Sequence, residues 1–367
     1  MSGTSLDGVD CALCEAGPAG LRLVAWWRKA FPRSMRQRLH EAARGGLNTH
    51  ALAQLHHDLG RFYARCASAQ PAGPRPQLAG LHGQTVFHQP DGPAAATLQL
   101  GEPAYLAEAL RVPVVANFRV ADLAAGGQGA PLATAFHVRM FARRGQHVCV
   151  NNLGGISNVT SIDWQAGGRN PHVWAFDTGP ANVLLDLAAR RFSQGRLDLD
   201  RGGRWAARGR VCEPLLQRWL EHPFFTKPPP KSTGRELFGE PFLAAVLKEA
   251  RPRRLSRFDV LATLTELTAR SIALNYRLHL GSPPDRVILA GGGAANPMLV
   301  ERIRAALRNE GPGVTVRTSA ELGWPLQSVE PAAFAWLAWL RVHGLPGNLP
   351  ETTGACRPVL LGQIAEP

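Results

Sequence analysis

The sequence predicts an α/β protein of two related domains that close on a nucleotide, and three observations support this. The chain has 367 residues, which is long for one domain and favours two. Two predicted β-hairpins carry polar glycine turns, one near residue 8 and one near residue 155. A predicted buried strand at 287–290 runs into three glycines at 291–293, a turn that lets a flat base or a ribose lie against the backbone.

The chain opens on a polar turn that leads into the first hairpin. The turn is the run Met-Ser-Gly-Thr-Ser-Leu-Asp-Gly-Val-Asp at 1–10. Its backbone amides and hydroxyls can hold phosphate oxygens, and Asp7 or Asp10 can hold a metal ion on those phosphates. Apolar strands at 9–13 and 21–27 form the hairpin. The Gly-Lys-Ser/Thr of a Walker loop is absent and polar glycine turns are common, so this turn alone is a weak sign of nucleotide binding.

Polar residues also lie in two segments between the hairpins. A predicted strand at 78–81 ends on His82 and Gln84, where strand ends place ligand contacts. A structural, hydrogen-bonded role for His82 is equally compatible with the sequence. The segment 125–131 is too rich in glycine for a regular element, and it carries Gln128 where a flexible linker would carry serine. We interpret it as a ligand-binding loop.

The second hairpin, at 148–160, loosely repeats the first with an Asn-x-Gly-Gly turn. Because each hairpin opens one half of the chain, we predict a first domain at 1–145 and a second at 146–367. The two domains should then be related to each other.

A carboxylate follows the second hairpin at the end of an apolar run. We expect a strand that ends at Asp177, a turn at 178–180 and a helix that begins near Asn182. The amino-terminal end of a helix favours anionic groups, so this arrangement is typical of a catalytic site. The alternative is that Asp177 only caps the helix.

Apolar periodicity predicts four further helices, at 34–44, 49–67, 259–278 and 329–340. Asn48 or Thr49 should cap the second of these, and Asp259 the third. The run Pro-Pro-Pro-Lys-Ser-Thr-Gly-Arg-Glu at 228–236 predicts a rigid, exposed turn. Lys231, Ser232 and Arg235 in this turn either meet an acidic substrate or are simply solvated.

The composition limits the class of protein. The formal net charge is +13, but the excess is almost entirely arginine spread along the chain. We therefore attribute it to compositional bias and expect no nucleic-acid partner. Six scattered cysteines fit a reducing compartment, and no apolar run reaches the length of a membrane span. These features predict a soluble, cytoplasmic protein with no membrane partner.

Taken together, the motifs resemble those of the anhydro-N-acetylmuramic acid kinase family. The motifs that carry the resemblance are the opening run at 1–10, His-Gly-Gln-Thr at 82–85, Ala-Gly-Gly-Gln-Gly-Ala-Pro-Leu at 125–132, Asn-Leu-Gly-Gly-Ile-Ser-Asn at 152–158, Phe-Asp-Thr-Gly-Pro-Ala-Asn at 176–182, the proline-rich run at 228–236, Gly-Gly-Gly at 291–293 and Thr-Gly-Ala at 353–355. They stand in family order and cover essentially the whole chain. The resemblance implies two actin-like (ribonuclease H-like) domains around an ATP-binding cleft, ATP with Mg²⁺, a homodimer and a role in recycling cell-wall sugar.

The resemblance also implies roles for particular residues. Asp177 corresponds to the family's catalytic carboxylate, and Asp7 is the candidate metal ligand. The residues that it assigns to ATP are Gly3, Thr4, Ser5, Leu6, Asp7, Gly8, Val9 and Asp10 at the phosphates, Gly154 and Gly155 in the second phosphate turn, and Gly291, Gly292 and Gly293 beside adenosine. The candidates for the sugar side or its supporting residues are His82, Gln84, Gln128, Asn182 and Glu330.

The chain departs from the family pattern at two points. Asn117 replaces the aspartate that usually precedes Phe-Arg, so the family role of that carboxylate does not carry over. Several apolar residues usually precede Met-Ser-Gly-Thr, and we therefore expect the natural start to lie upstream of Met1.

The substrate that the resemblance implies explains the need for a base. An internal 1,6-anhydro bridge must open before O6 can be phosphorylated, and one carboxylate can direct water to C1 while O6 accepts the γ-phosphoryl group. Three alternatives remain open at this point. They are a related kinase acting on an ordinary hydroxyl, a nucleotide-gated binding protein, and a basic nucleic-acid binder with steep salt dependence.

Overall fold

The computed structural model of the chain describes residues 1–3, 6–90, 92 and 94–367. The chain packs as two units. The first unit comprises Met1–Met140 together with Gln327–Pro367, and the second comprises Phe141–Leu326. Both units combine helices with sheets, so the α/β class is confirmed.

The first unit begins with a long β-hairpin and contains two central helices. Its elements up to residue 141 are β1 (Gly8–Gly17), β2 (Gly20–Ala30), α1 (Arg33–Ala43), α2 (Thr49–Ser68), β3 (Ala79–Leu81), β4 (Gln84–Gln89), β5 (Ala96–Leu100), α3 (Ala104–Leu110), β6 (Val114–Ala116), α4 (Val120–Ala124) and α5 (Thr134–Phe141). Asn48 caps α2 as predicted, since its side chain accepts from the amide of Ala51. Helices α1 and α2 bury Leu39, Leu55 and Leu59 completely.

The second unit is built on one five-stranded sheet. Its elements are β7 (Gln146–Leu153), β8 (Ile156–Trp164), β9 (His172–Pro180), α6 (Asn182–Phe192), α7 (Glu213–Leu220), α8 (Pro223–Thr226), α9 (Glu240–Ala250), α10 (Arg257–His279), β10 (Arg286–Ala290), α11 (Pro297–Glu310) and β11 (Thr315–Thr318). The strand order is β11-β10-β7-β8-β9, with β7 to β9 antiparallel and β10 and β11 parallel to β7. This is the strand order of a ribonuclease H-like domain, as expected.

The long helix of the second unit is buried on nearly every side. Helix α10 begins at Arg257, and its cap lies three residues before the predicted cap, Asp259. Ser256 is the cap, and Asp259 lies three residues into a capping box with it, so the prediction that Asp259 caps this helix was wrong. The carboxylate of Asp259 accepts from the backbone amide of Ser256 at 3.0 Å. Both residues therefore take part in the cap, which is why Asp259 resembles a cap residue in the sequence.

The carboxy-terminal segment corrects the predicted domain boundary. After β11 the chain continues with α12 (Val329–Val342), α13 (Pro350–Thr353) and β12 (Gln363–Ala365). Helix α12 packs against β1 and β3, and β12 pairs antiparallel with β6. Residues 327–367 therefore belong to the first unit, although the prediction placed them in the second. Among the described residues, no helix is long and apolar enough to cross a bilayer.

Candidate active site

Asp177 lies inside a strand and not at its end. Strand β9 pairs with β8 as far as Pro180, so the predicted turn at 178–180 was wrong. Asn158 opposes Asp177 and Ser157 opposes Gly179, which leaves Thr178 as an extra residue in a β-bulge. A bulge bends its strand and changes the direction of neighbouring side chains.

Buried hydrogen bonds fix this bulge. The hydroxyl of Thr178 lies 2.7 Å from Oγ of Ser157 and 3.2 Å from its carbonyl oxygen. Asn151 donates to the same Oγ at 2.8 Å, and the side chain of Asn275 on α10 donates to the carbonyl of Thr178 at 3.1 Å. Thr178 and these partners are fully buried, so the strand is held rigidly beside the carboxylate.

The proline-rich segment at 228–236 binds Asp177 through its backbone. The amide of Thr233 donates to Oδ2 of Asp177 at 2.8 Å, and the amide of Asp177 donates to the carbonyl of Lys231 at 3.1 Å. Burial raises the pKa of Asp177 from 3.8 to about 7, with the Thr233 amide opposing this rise. A carboxylate with a pKa near neutrality is suited to act as a general base.

The same segment is not the exposed turn that the sequence predicted. Lys231 is buried, with only 5% of its surface exposed, and its ammonium group donates to two backbone carbonyls. The alternative that Lys231 is simply solvated was therefore wrong. Ser232 is exposed and Arg235 is exposed, so these two residues do lie at the surface as predicted.

Both glycine turns of the second unit lie around Asn182. The side-chain nitrogen of Asn182 donates to the carbonyls of Leu153 and Gly154 at 3.0 and 2.7 Å. A side chain at Gly293 would meet the amide group of Asn182 at 2.9 Å. Asn182 thus joins the turn at Gly154 and Gly155 to the turn at 291–293, and its donors serve the backbone.

Helix α6 does not offer a free amino-terminal end. The amides of Ala181 and Val183 donate to the carbonyl of Gly155, and the amide of Asn182 donates to that of Gly154. The predicted anion-binding end of this helix is therefore occupied by the turn. Sequence could not show this, because the partners are distant along the chain, with a separation of 28 residues from Gly154 to Asn182.

The turn after β10 is shaped for close approach. Gly291 has φ +82°, and a side chain there would lie 2.2 Å from Oδ1 of Asn152. That Oδ1 is buried without a hydrogen-bond partner. Gly292 is exposed and begins a short 3-10 helix, so its outer face is open to a ligand.

The opening segment of the first unit is described from residue 6 onward, and at residues 1–3. Thr4 and Ser5, which the sequence assigns to the phosphates, lie outside the described residues. The side chains of Leu6 and Val9 pack in the core, so only their backbone could meet a phosphate. Gly8 lies in β1, where a side chain would strike the carbonyl of Lys29 at 2.6 Å.

Asp7 and Asp10 both face Arg28. Oδ2 of Asp7 lies 2.5 Å from the guanidinium, and Oδ1 of Asp10 lies 3.7 Å from it, without a hydrogen bond. Burial raises the pKa of Asp10 to about 6, against the effect of Arg28. No cluster of three ligating side chains occurs among the described residues, but Mg²⁺ in kinases needs only one or two carboxylates besides phosphate. Oδ1 of Asp10, which accepts no hydrogen bond, fits such an ion.

A second set of predicted residues surrounds Arg119 in the first unit. Nε2 of His82 accepts from the guanidinium of Arg119 at 2.9 Å, so the proton of the ring is on Nδ1, which donates to Gly83 at 2.8 Å. Burial and the charge of Arg119 hold the pKa of His82 well below its usual range. Burial and Asp10 raise the pKa of Glu330, while Arg119 lowers it. His82 and Glu330 thus lie around one buried cation, and Asp10 acts on Glu330.

Arg119 is the residue of this group that the sequence prediction missed. Burial lowers its pKa to about 10, and it also donates to the carbonyl of Gly129 at 2.7 Å. It follows Asn117-Phe118 directly after the short strand β6, and an arginine at a strand end was the available signal. Asn117 itself has φ +55°, and its side-chain nitrogen donates to Gln363.

The two remaining sugar-side candidates of the first unit, Gln84 and Gln128, lie near this cluster. Gln84 donates to the carbonyl of Gly3 at 3.1 Å, and its Oε1 is buried without a partner. The backbone amide of Gln128 donates to the carbonyl of Thr353 at 2.8 Å. Buried Asp122 accepts from the amide of Gly129, and this bond fixes the predicted ligand loop at 125–131.

The predicted residues therefore form two groups, one in each unit. The first unit holds the opening segment with His82, Gln84, Gln128 and Glu330. The second unit holds Asp177 with the two glycine turns and Asn182.

Comparison with known proteins identifies the family of this chain. The family model described as anhydro-N-acetylmuramic acid kinase matches residues 1–367. A protein of that name from Acaryochloris marina is 43% identical over 99% of this chain and 98% of its own length, and one from Cyanothece sp. is 42% identical over 99% and 97%. A ROK family glucokinase from Streptomyces griseus, solved with glucose and AMPPNP, aligns with a TM-score of 0.36 at 15% identity over 90% of this chain and 95% of its own. The family model covers the whole chain and both relatives are more than 40% identical to it over nearly its full length, so the chain belongs to the anhydro-N-acetylmuramic acid kinase family.

Proposed function

We propose that this chain is an ATP-dependent kinase that opens the 1,6-anhydro ring of anhydro-N-acetylmuramic acid with water and phosphorylates O6. The product is N-acetylmuramic acid 6-phosphate, an intermediate of peptidoglycan recycling. The observation that carries the proposal is a carboxylate, Asp177, held by a backbone amide and with a pKa of about 7, in a chain of this family.

Asp177 acts as the general base in this proposal. It takes one proton from a water molecule, whose oxygen attacks C1 as the bond from C1 to O6 breaks. O6 leaves C1 and accepts the γ-phosphoryl group, and ADP departs. The proton taken from water accounts for the one proton that the overall reaction releases, so the equation balances. General-base catalysis contributes on the order of a hundredfold or more to such a step.

The remaining predicted residues bind and orient in this proposal. The opening segment and the turn at Gly154 and Gly155 hold the phosphates, and the turn at 291–293 holds adenosine. Asp10, with Asp7, would hold Mg²⁺, which neutralises charge on the transferred phosphoryl group when it is bound. Gln84 and Glu330 face the sugar, while His82 supports Arg119. We also propose that the chain forms a homodimer and acts in the cytoplasm.

The path of solvent oxygen tests this reaction against an ordinary sugar kinase. The reaction is run in ¹⁸O-labelled water with the anhydro-sugar and Mg-ATP, quenched early, and the product is analysed by mass spectrometry. We expect a sugar phosphate with label on the anomeric carbon. Early quenching is needed because a free reducing sugar exchanges this oxygen with solvent, and the unlabelled product re-dissolved in labelled water measures that exchange.

Two results would contradict the proposal. Label that appears only in inorganic phosphate, with the anhydro-sugar unconsumed, would show an ATPase and no ring-opening kinase. Turnover of Asp177→Asn equal to that of the wild type would remove Asp177 from the role of base.

A further inference from the structure

Lys231 presents a buried positive charge beside the proposed base. Its ammonium group donates to the carbonyls of Phe224 and Phe225 at 3.1 and 3.2 Å and lies 3.4 Å from Nε2 of His279. Within the part of the chain that the structure describes, it forms no ion pair with a carboxylate. Burying an ammonium group against neutral partners is costly, so a lysine in this position calls for an explanation.

The contacts of Lys231 connect three separate elements. Phe224 and Phe225 lie in α8, and His279 is the last residue of α10. The ammonium group therefore anchors the segment 228–236 to two helices that are far apart in sequence. The ring of Phe224 also lies 4.9 Å below the charge, at a distance suited to a cation–π contact.

The backbone around Lys231 holds Asp177 on two sides. The carbonyl of Lys231 accepts from the amide of Asp177, and two residues later the amide of Thr233 donates to the carboxylate. Any displacement of the lysine would therefore move both atoms that hold Asp177. A side chain that formed only one hydrogen bond to Asp177 would not hold it through both of these backbone atoms.

We propose that Lys231 is a positioning residue for Asp177. Its ammonium group anchors the segment 228–236, which holds Asp177, and stabilises the ionised carboxylate. This inference rests on the proposed function of Asp177 as a base. It adds a residue that acts through another and that does not itself touch the reacting atoms.

The charges around the carboxylate agree with this role. Lys231 lowers the pKa of Asp177, and Glu236 on the same segment raises it. From α10, His279 has a pKa lowered by burial and by Lys231, so its ring is neutral and accepts from the ammonium. Burial and Lys227 lower the pKa of Lys231 to about 8. Asp177 in turn raises the pKa of Lys231, so each of the two charges favours the ionised form of the other.

The test compares Lys231→Met, which keeps length and removes charge, with Lys231→Arg, which keeps charge. Lys248→Met on the exposed face of α9 is the matched control. The pKa of Asp177 is read directly from ¹³C chemical shifts of labelled aspartate carboxyls, with Asp177→Asn used to assign the signal. The pH dependence of kcat/KM is measured in parallel, and thermal unfolding confirms that each variant folds.

In Lys231→Met we expect the pKa of Asp177 and the acidic limb of kcat/KM to move together toward higher pH. We expect kcat/KM near pH 6 to fall by about tenfold, since removing a nearby opposite charge raises a carboxyl pKa by about one unit or more. Lys231→Arg should restore both, and Lys248→Met should change neither. If Lys231→Met folds and the carboxyl signal titrates as in the wild type, the inference is wrong. If Asp177→Asn is fully active, it is the proposed base that fails, whatever the signal does.

Discussion

Replacing Asp177 by asparagine should stabilise the folded chain at alkaline pH while it removes activity. The amide keeps an oxygen that can accept from the amide of Thr233, so the local contacts survive. The substitution removes the negative charge of a carboxylate that is poorly solvated in the folded chain. The gain in stability should therefore depend on pH, and turnover should fall by about a hundredfold or more.

The sign follows from the pKa of Asp177 in the two states. Burial raises this pKa from 3.8 to about 7 in the folded chain, so the folded state holds the proton more tightly than the unfolded state. Between about pH 4 and pH 7 the folded chain binds more protons, and its free energy of unfolding falls as the pH rises. Asparagine does not titrate, so the variant should lack this fall.

The magnitude is bounded by the same two values. A rise from 3.8 to about 7 corresponds to at most about 4 kcal/mol, since one pH unit is worth about 1.4 kcal/mol. Because Asp177 is only partly buried, solvent screening reduces the expected gain to about 2 kcal/mol.

Urea unfolding of wild type and Asp177→Asn at about pH 4 and about pH 8.5 measures this gain, since each comparison is made at one pH. Asp198→Asn is the control, because the Asp198 side chain is 68% exposed and should give no such dependence. An Asp177→Asn gain that is equal at both pH values would refute the reasoning, because no raised pKa would then be present in the folded chain.

Three further predictions concern the glycine turn after β10 and the bulge beside Asp177. Gly292→Val should weaken ATP binding in a calorimetric titration while the fold survives. Gly291→Ala should instead lower the free energy of unfolding, because the added side chain would lie 2.2 Å from Oδ1 of Asn152. Unchanged ATP affinity in Gly292→Val would place adenosine elsewhere. Thr178→Val should lower kcat about tenfold with little change in KM, because Ser157 keeps only the hydrogen bond from Asn151 and the bulge relaxes. Thr178→Ser should restore kcat, and a wild-type kcat in folded Thr178→Val would show that the bulge does not direct Asp177.

Local patterns predicted much of the framework correctly. Both glycine-turn hairpins occur where alternating apolar residues and turn residues placed them, at β1–β2 and β7–β8. Asn48 caps α2 for the same reason, since the cap depends only on the three residues that follow it. Such features need no information from distant parts of the chain.

Features that depend on distant partners could not be predicted in this way. Strand β12 is only three residues long and carries no periodicity, and it joins the first unit because Ile364 pairs with Val115. The burial of Lys231 depends on carbonyls of α8 and on the end of α10, while its own neighbours are prolines and polar residues. Sequence of that kind is typical of an exposed turn, so the wrong prediction had a sound local basis.

The cluster around Arg119 shows why individual site residues were easier to find than their roles. His82 was predicted as a possible ligand contact, yet both of its ring nitrogens are used, one by Arg119 and the other by Gly83. Its neutral form follows from burial and from the adjacent guanidinium, a neighbour 37 positions away in sequence. Glu330 balances the same cation from α12, another 211 positions on, since 330 − 119 = 211. The charge of Arg119 acts on the pKa of both His82 and Glu330, so neither residue's role follows from its own position alone. The role of each residue is therefore a property of the group, and only the fold brings the group together.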